Sequence, residues 1–206
     1  MTNLPSSYAV GLPRVSAIVE YNYPFTCEPR QRFLEWLERK EVSYSAYMKE
    51  ASSWGHYVHS ALETFLKTRE NRGRKYRGYV NSWISFVNDY WVSAIAIEEY
   101  VKCKDYQWTI DLVCTINWEK WIIDWKNYWL AKDKFNIPQP EYKRPTEKLK
   151  KARLQLSLYA RCKRIKNIGV VELRSDGYHF HKLELIPKDE LNSIIQEFKM
   201  NYIDEL

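Results

Sequence analysis

The tetrapeptide Ile-Asp-Trp-Lys at positions 123–126 combines a carboxylate and an ammonium group within a run of bulky apolar residues. In a β-strand, side chains at positions i and i+2 lie on the same face, so Asp124 and Lys126 are expected to project together. Charges among apolar neighbours cost free energy unless they have partners or a chemical role. The pattern fits either a surface salt bridge on an edge strand, which is the commoner case, or an acid–lysine pair of a catalytic site.

A second acid, Asp111, stands alone within the apolar run WTIDLV at 108–113. Neighbouring strands lie about 4.8 Å apart, so a hairpin between the two runs would bring Asp111 and Asp124 together. Carboxylate oxygens are hard ligands suited to Mg²⁺, which also accepts substrate phosphates. Of the two acids that precede this run, only one can face the same side as Asp111. We favour Glu98 and expect Glu99 to be its solvated neighbour.

Three polar residues on helix-like segments are further candidates. His59 lies among apolar positions in the run WGHYVHSALE, where a lone histidine is more often a core residue than a ligand. Gln155 and Tyr159 are spaced i, i+4 and therefore share one helix face. Their ordinary explanation is a tyrosine packed in the core with a glutamine at its edge. Taken separately, each of these residues is more often structural than functional.

Apolar periodicity predicts the elements that must position these residues. An irregular segment with three prolines is expected over 1–27. Helical spacing then recurs in three segments, 30–40, 43–69 and 79–91. Period-two alternation follows in three strand-like runs, 93–103, 106–116 and 120–129.

The remaining elements complete a layered domain. A proline-containing loop leads to the helix with Gln155 and Tyr159, and two strands at 168–175 and 178–186 follow. A last helix begins after Pro187. This order predicts one α/β (α+β) domain over 1–206, with a mixed central sheet flanked by helices. We divide it into an N-terminal helical part, a part with the sheet and the Gln155 helix, and a C-terminal helix: 1–91, 92–186 and 187–206.

Composition fits a nucleic-acid surface and an aromatic-rich core equally well. The chain has a net charge of +6, 9 Trp, 16 Tyr and 7 Phe. Lysine and arginine bind phosphates and flat rings stack on bases, although many rings simply fill a core. Runs of basic residues, which are usually just solvated faces, provide the candidate contacts. These are Arg72, Arg74, Lys75, Arg77, Lys148, Lys151 and Arg153.

The cysteines and the apolar runs limit other classes. None of the four cysteines lies in a CxxC pair, so a tight zinc knuckle is not expected. The N-terminus lacks the pattern of a signal peptide, and no apolar run approaches the roughly 20 residues of a membrane span. The expectation is a soluble cytoplasmic protein with reduced thiols.

Taken in order, these residues resemble the PD-(D/E)xK nuclease superfamily. The resemblance is greatest to its RecB-like branch, which includes phage exonucleases and the mitochondrial genome maintenance exonuclease. Five elements of that branch have a match in this chain. They are an early-helix histidine, a glutamate before the first catalytic strand, a T-I-D run, a D-x-K run and a Q-x-x-x-Y helix. The matching positions are His59, Glu98, 109–111, 124–126 and 155–159. Trp108 departs from the family's usual glycine, and Asn127 from its usual Thr or Ser.

The resemblance implies a restriction-endonuclease-like αβββαβ core with an N-terminal helical elaboration. It implies phosphodiester hydrolysis with one or two Mg²⁺ or Mn²⁺ ions, leaving 5′-phosphates. Lys126 would orient water or stabilise the phosphate, and Gln155 and Tyr159 would position Lys126 or bind DNA. The implied metal ligands are His59, Glu98, Asp111, Asp124 and the backbone carbonyl of Trp125. No iron–sulfur cluster is expected, because the C-terminal cysteine cluster of the members that carry one is absent.

The expected substrate is single-stranded or free-ended DNA, cut by an exonuclease in phage or viral recombination and repair. Recombination or single-strand-binding proteins are the expected partners, and the host cytoplasm is the expected location. Two alternatives remain open at this point. One is a structure-selective endonuclease of the same superfamily, and the other is a nucleic-acid-binding module without catalysis.

Overall fold

The computed structural model of the chain describes residues 12–23, 31–70, 77–126 and 145–202. The helices are α1 Val15–Asn22, α2 Gln31–Arg39, α3 Tyr44–Thr68, α4 Arg77–Asp89, α5 Pro145–Lys163 and α6 Lys188–Tyr202. The strands are β1 Ser93–Lys102, β2 Gln107–Ile116, β3 Glu119–Lys126, β4 Asn167–Arg174 and β5 Gly177–Leu183. Within these ranges, every helix is too short or too polar to span a lipid bilayer.

The strands form one five-stranded mixed sheet in the order β1-β2-β3-β4-β5. β1, β2 and β3 are antiparallel neighbours, and the turn between β2 and β3 consists of Asn117 and Trp118, both with positive φ. β3 and β4 are parallel. The helix α5 between them returns the chain to the end of the sheet at which β3 begins. β5 closes a hairpin against β4. The predicted mixed sheet flanked by helices is confirmed.

Each face of the sheet buries its own apolar core. One core lies beneath α1, α5 and α6, where Ile122, Val170 and Leu158 are fully buried. The other core lies beneath α3 and α4 and is rich in aromatic rings. Within it, the ring centroids of Trp125 and Trp83 lie 5.0 Å apart. The alternating positions of β3 therefore serve two separate layers. Ile122 and Asp124 face the α5 layer, whereas Trp125 faces the α3 layer.

Two specific contacts fix helices to the sheet. The Tyr106 hydroxyl donates a hydrogen bond to the Leu158 carbonyl at 2.8 Å, and burial raises the pKa of Tyr106 to about 12. At the start of α4, a methyl group added to Gly78 would overlap the backbone carbonyl of Ser175 in the β4–β5 turn. Only a residue without a side chain permits that close approach of helix and turn.

Two expectations from the sequence are wrong. The segment 1–27 contains α1, whose Val15 and Ile18 are fully buried. Pro13 lies ahead of the helix and does not interrupt it. The thiols are not all reduced, because Cys103 and Cys162 form a disulfide with their Cα atoms 5.8 Å apart. These cysteines are separated by 59 residues in sequence, so only the tertiary fold brings them together.

Candidate metal centre

Three acids from consecutive strands lie in one row across the sheet. The positions on either side of Glu98 pair with the positions on either side of Asp111, so these two residues stand opposite each other. The β2–β3 ladder ends at the pair Leu112 and Ile123, and its next position places Asp111 opposite Asp124. Facing residues of adjacent strands are close neighbours, so this register assembles the acids of the candidate site.

The row coincides with an irregularity in the sheet. Glu98 has φ 51°, a left-handed conformation that is uncommon for a residue with a side chain. Ile110 packs into the α5 layer, whereas Leu112 packs into the α3 layer, although positions i and i+2 of a regular strand share one face. β2 therefore changes faces at Asp111. Such backbone conformations cost about 1–3 kcal/mol and are concentrated at functional sites.

His59 approaches this row from α3. One ligand-capable atom from each of His59, Glu98 and Asp111 lies within 4.8 Å of the other two. The His59 ring contacts the Trp125 ring edge-on, with 5.6 Å between centroids. Burial and, to a smaller extent, the nearby Lys126 charge together lower the pKa of His59 to about 4. The imidazole is therefore neutral at physiological pH and keeps a lone pair for a metal ion.

Within the described part of the chain, Asp111 and Asp124 each leave one carboxylate oxygen without a hydrogen-bond partner. Oδ2 of each is buried and accepts no hydrogen bond from the described residues, while Oδ1 of Asp124 accepts one from Lys126 Nζ at 2.8 Å. Burial raises the pKa of Asp111 well above its usual range, and the charge of Asp124 raises it further. Buried oxygens in this arrangement need a shared proton or a cation, so the donor set fits a divalent metal ion.

The other side of the row is bounded by α5. Gln155 Nε2 donates a hydrogen bond to the Tyr159 hydroxyl at 2.9 Å, and Tyr159 is buried. Burial raises the pKa of Tyr159, and the negative charges of Asp124 and Asp111 raise it further. The hydroxyl therefore stays protonated, and its hydrogen is available to a negatively charged neighbour. The structure thus brings the predicted Gln155–Tyr159 pair to the acid row.

A cleft of about 830 Å³ opens from the row between α3 and the β1–β2 ladder. His59, Glu98 and Asp111 line one part of the cleft. Arg14, Glu63, Tyr100 and Gln107 are among the further residues that line it, and none of them was a predicted site residue. Sequence signals existed for two of them, because Glu63 follows His59 by one helical turn and Tyr100 follows Glu98 by two strand positions.

Glu99 is not the solvated neighbour that we expected. Its carboxylate accepts a hydrogen bond from Lys163 Nζ at 2.5 Å, an ion pair that joins β1 to the end of α5. The change of faces at Glu98 turns Glu99 towards α5, whereas Glu98 belongs to the His59 group. The two adjacent acids thus have different roles, one in the candidate site and one in packing.

Four of the seven predicted DNA-contacting residues lie within the described part of the chain. Arg72, Arg74 and Lys75 lie outside the described residues. Arg77 is exposed at the start of α4, and Lys151 is half-buried on α5. Burial lowers the pKa of Lys148 to about 8, although the Glu172 carboxylate raises it. Arg153 donates hydrogen bonds to the carbonyls of Glu184 and Leu185, at 2.7 and 3.2 Å, so its guanidinium connects α5 to the segment after β5.

Comparison with solved structures finds remote likenesses to this chain. No protein-family model matches the chain, and no curated protein matches it. One similar solved structure is described as "Crystal structure of SSO0001", with 14% sequence identity and a TM-score of 0.44. The alignment covers 91% of this chain and 74% of that chain.

Proposed function

We propose that the chain is a divalent-metal-dependent deoxyribonuclease that hydrolyses phosphodiester bonds at the row of Glu98, Asp111 and Asp124. The observation that carries the proposal is a pair of buried carboxylate oxygens, beside His59 and Lys126, that find no hydrogen-bond partner among the described residues. A purely structural ion pair would leave no such oxygens, because unsatisfied buried charges are costly. The sequence resemblance to the PD-(D/E)xK nucleases supports the same assignment.

Mg²⁺ or Mn²⁺ would be held by His59, Glu98 and Asp111, with Asp124 and the Trp125 backbone carbonyl as further ligands. A bound ion of this kind lowers the pKa of a coordinated water and offsets charge on a phosphate oxygen. Lys126 lies within reach of the same phosphate, because its Nζ contacts Asp124 Oδ1 at 2.8 Å. Its ammonium group stabilises the negative charge that develops as the phosphorus–oxygen bond breaks.

Tyr159 and Gln155 act as positioning residues in this proposal. The Tyr159 hydroxyl accepts a hydrogen bond from Gln155, which leaves its own proton directed to another acceptor. Burial raises the pKa of Tyr159 and the negative charge of Asp124 raises it further, so the hydroxyl keeps its proton. The hydroxyl therefore holds the carboxylate or the lysine in place while the metal ion and the phosphate bind.

The substrate we propose is DNA with a free single-stranded end, in recombination or repair. The support for this substrate is the open cleft of about 830 Å³ that begins at the metal ligands and continues to the exposed ring of Tyr100. Recombination or single-strand-binding proteins are the proposed partners, in the cytoplasm of a host cell. Circular single-stranded DNA separates an exonuclease, which leaves it intact, from a structure-selective endonuclease, which cuts it.

The test is digestion of end-labelled oligonucleotides with Mg²⁺ or Mn²⁺ by the parent and by Asp124→Ala and Lys126→Ala. Each variant should lose about a thousandfold in rate, which corresponds to about 4 kcal/mol of barrier. The matched controls are Asp176→Ala and Lys188→Ala, an acid and a lysine that are exposed away from the row. The proposal is wrong if both site variants cut as fast as the controls.

A further inference from the structure

An exposed aromatic ring lies beside the candidate metal ligands. Tyr100 is 61% exposed, although aromatic side chains of this size are usually covered. It belongs to β1, two positions after Glu98, and both residues line the same cleft. Thr109, directly opposite Tyr100 on β2, also lines the cleft and is too small to cover the ring.

A chain of hydrogen bonds fixes the orientation of this ring. The Tyr100 hydroxyl donates to Gln107 Oε1 at 2.6 Å. Gln107 Nε2 in turn donates to the Leu12 carbonyl at 2.8 Å, and its backbone N–H donates to the Pro13 carbonyl at 3.0 Å. The ring is therefore exposed and held in place at once. A preorganised ring binds a flat ligand with little further loss of conformational entropy.

The spacing suits a nucleotide. Two strand residues advance the chain by about 6.6 Å, which is close to the length of one extended nucleotide. A phosphate at Glu98 and Asp111 thus places the next base of a single strand at Tyr100. Arg14 also lines the cleft, with its guanidinium carbon 6.0 Å from the centroid of the Trp108 ring. This arginine adds a positive charge for a neighbouring phosphate.

We propose that Tyr100 is a stacking platform for an unpaired base one nucleotide away from the phosphate that is cut. This inference rests on the proposed nuclease function and names its substrate class as single-stranded nucleic acid. A base within a duplex has both faces covered by its neighbours, so it cannot stack on Tyr100. Stacking tolerates any base, because every base has an aromatic face. The platform therefore selects single strands over duplexes, whatever their base sequence.

The experiment is equilibrium binding of a single-stranded oligonucleotide that carries 2-aminopurine, in CaCl₂ under conditions in which the oligonucleotide stays intact. Tyr100→Ala should weaken binding about tenfold, or about 1.4 kcal/mol, and should abolish the fluorescence quenching that stacking causes. Tyr100→Phe keeps the ring and should bind within about twofold of the parent. Trp118→Ala is the matched control, because Trp118 is 99% exposed in the β2–β3 turn, outside the cleft.

The platform is refuted if Tyr100→Ala binds and quenches like the parent, if Tyr100→Phe is as weak as Tyr100→Ala, or if the parent itself binds no oligonucleotide. Hydrolysis with Mg²⁺, measured in parallel, separates this result from a failure of the proposed function. If the parent binds through Tyr100 but does not hydrolyse DNA, the stacking role of Tyr100 stands and the proposed nuclease function is refuted. If the parent hydrolyses DNA and Tyr100→Ala binds as well as the parent, the nuclease function stands and the stacking role of Tyr100 is refuted.

Discussion

Replacing Asp111 by Asn should make the metal-free protein more stable while abolishing its response to metal. Oδ2 of Asp111 and Oδ2 of Asp124 are both buried without hydrogen-bond partners among the described residues. An unsatisfied buried group costs about 1–3 kcal/mol, and more when it is charged. An Asn amide at this position carries no charge and donates to the Asp124 carboxylate. The free energy of unfolding without metal should therefore rise by about 1–3 kcal/mol.

Thermal unfolding at pH 8, followed by circular dichroism in EDTA and then in MgCl₂, measures both effects. For a chain of this length, 1 kcal/mol shifts Tm by about 2–4 °C, so Asp111→Asn should melt about 6 °C above the parent in EDTA. Mg²⁺ at a hundred times its Kd stabilises the parent by about 2.7 kcal/mol, or about 8 °C. The variant has lost a ligand and should gain little from the same concentration.

The matched control is Asp176→Asn, which makes the same substitution at an exposed position of the β4–β5 turn. It should follow the parent in both EDTA and MgCl₂. The reasoning is refuted if Asp111→Asn melts below the parent in EDTA, because the carboxylate would then stabilise the fold by itself. It is also refuted if Mg²⁺ stabilises the variant as much as the parent.

Three further predictions concern the fold. Tyr106→Phe should cost about 1 kcal/mol at pH 8, from the lost hydrogen bond. Burial raises the pKa of Tyr106 in the folded protein to about 12, above its ordinary value of 10.0, so this stabilisation is lost as the pH rises through that range. Denaturant unfolding at pH 11 should show no difference between variant and parent. Gly78→Ala should lower the free energy of unfolding by about 1–3 kcal/mol, because the added methyl group meets the Ser175 backbone. Gly55 has open space around it within a helix, so Gly55→Ala should raise the free energy of unfolding by up to about 1 kcal/mol in the same assay. Cys103→Ser should lower stability by about 2–4 kcal/mol and remove the effect of reductant on Tm; an unchanged response to reductant would contradict a disulfide at this position.

Most elements of the fold were predictable because their apolar periodicity is strong. The long helix α3 and the strands β1 to β3 follow the predicted segments to within a few residues. α1 was missed because prolines near it dominated the interpretation, although its residues Val15, Ile18 and Val19 have helical spacing. The disulfide of Cys103 and Cys162 could not be predicted, since it depends on how the end of β1 meets the end of α5.

The candidate site was predictable as a set of residue types but not as a geometry. Side-chain alternation placed Asp124 with Lys126, and a hairpin placed Asp111 beside them. Alternation alone could not show that β1 and β2 change faces, which requires the positive φ of Glu98. The same change of faces directs Glu99 to α5. A local backbone irregularity therefore decides which acid joins the site, and regular strand geometry carries no information about it.

The most direct test of the account is anomalous diffraction from a crystal soaked in MnCl₂. We expect one or two strong manganese peaks bounded by His59, Glu98, Asp111 and Asp124, with ligand distances of roughly 2.0–2.3 Å. The ions should disappear in crystals of Asp111→Asn. Fully formed crystals that show no manganese at these four side chains, or that bind it only elsewhere on the molecule, would contradict the account.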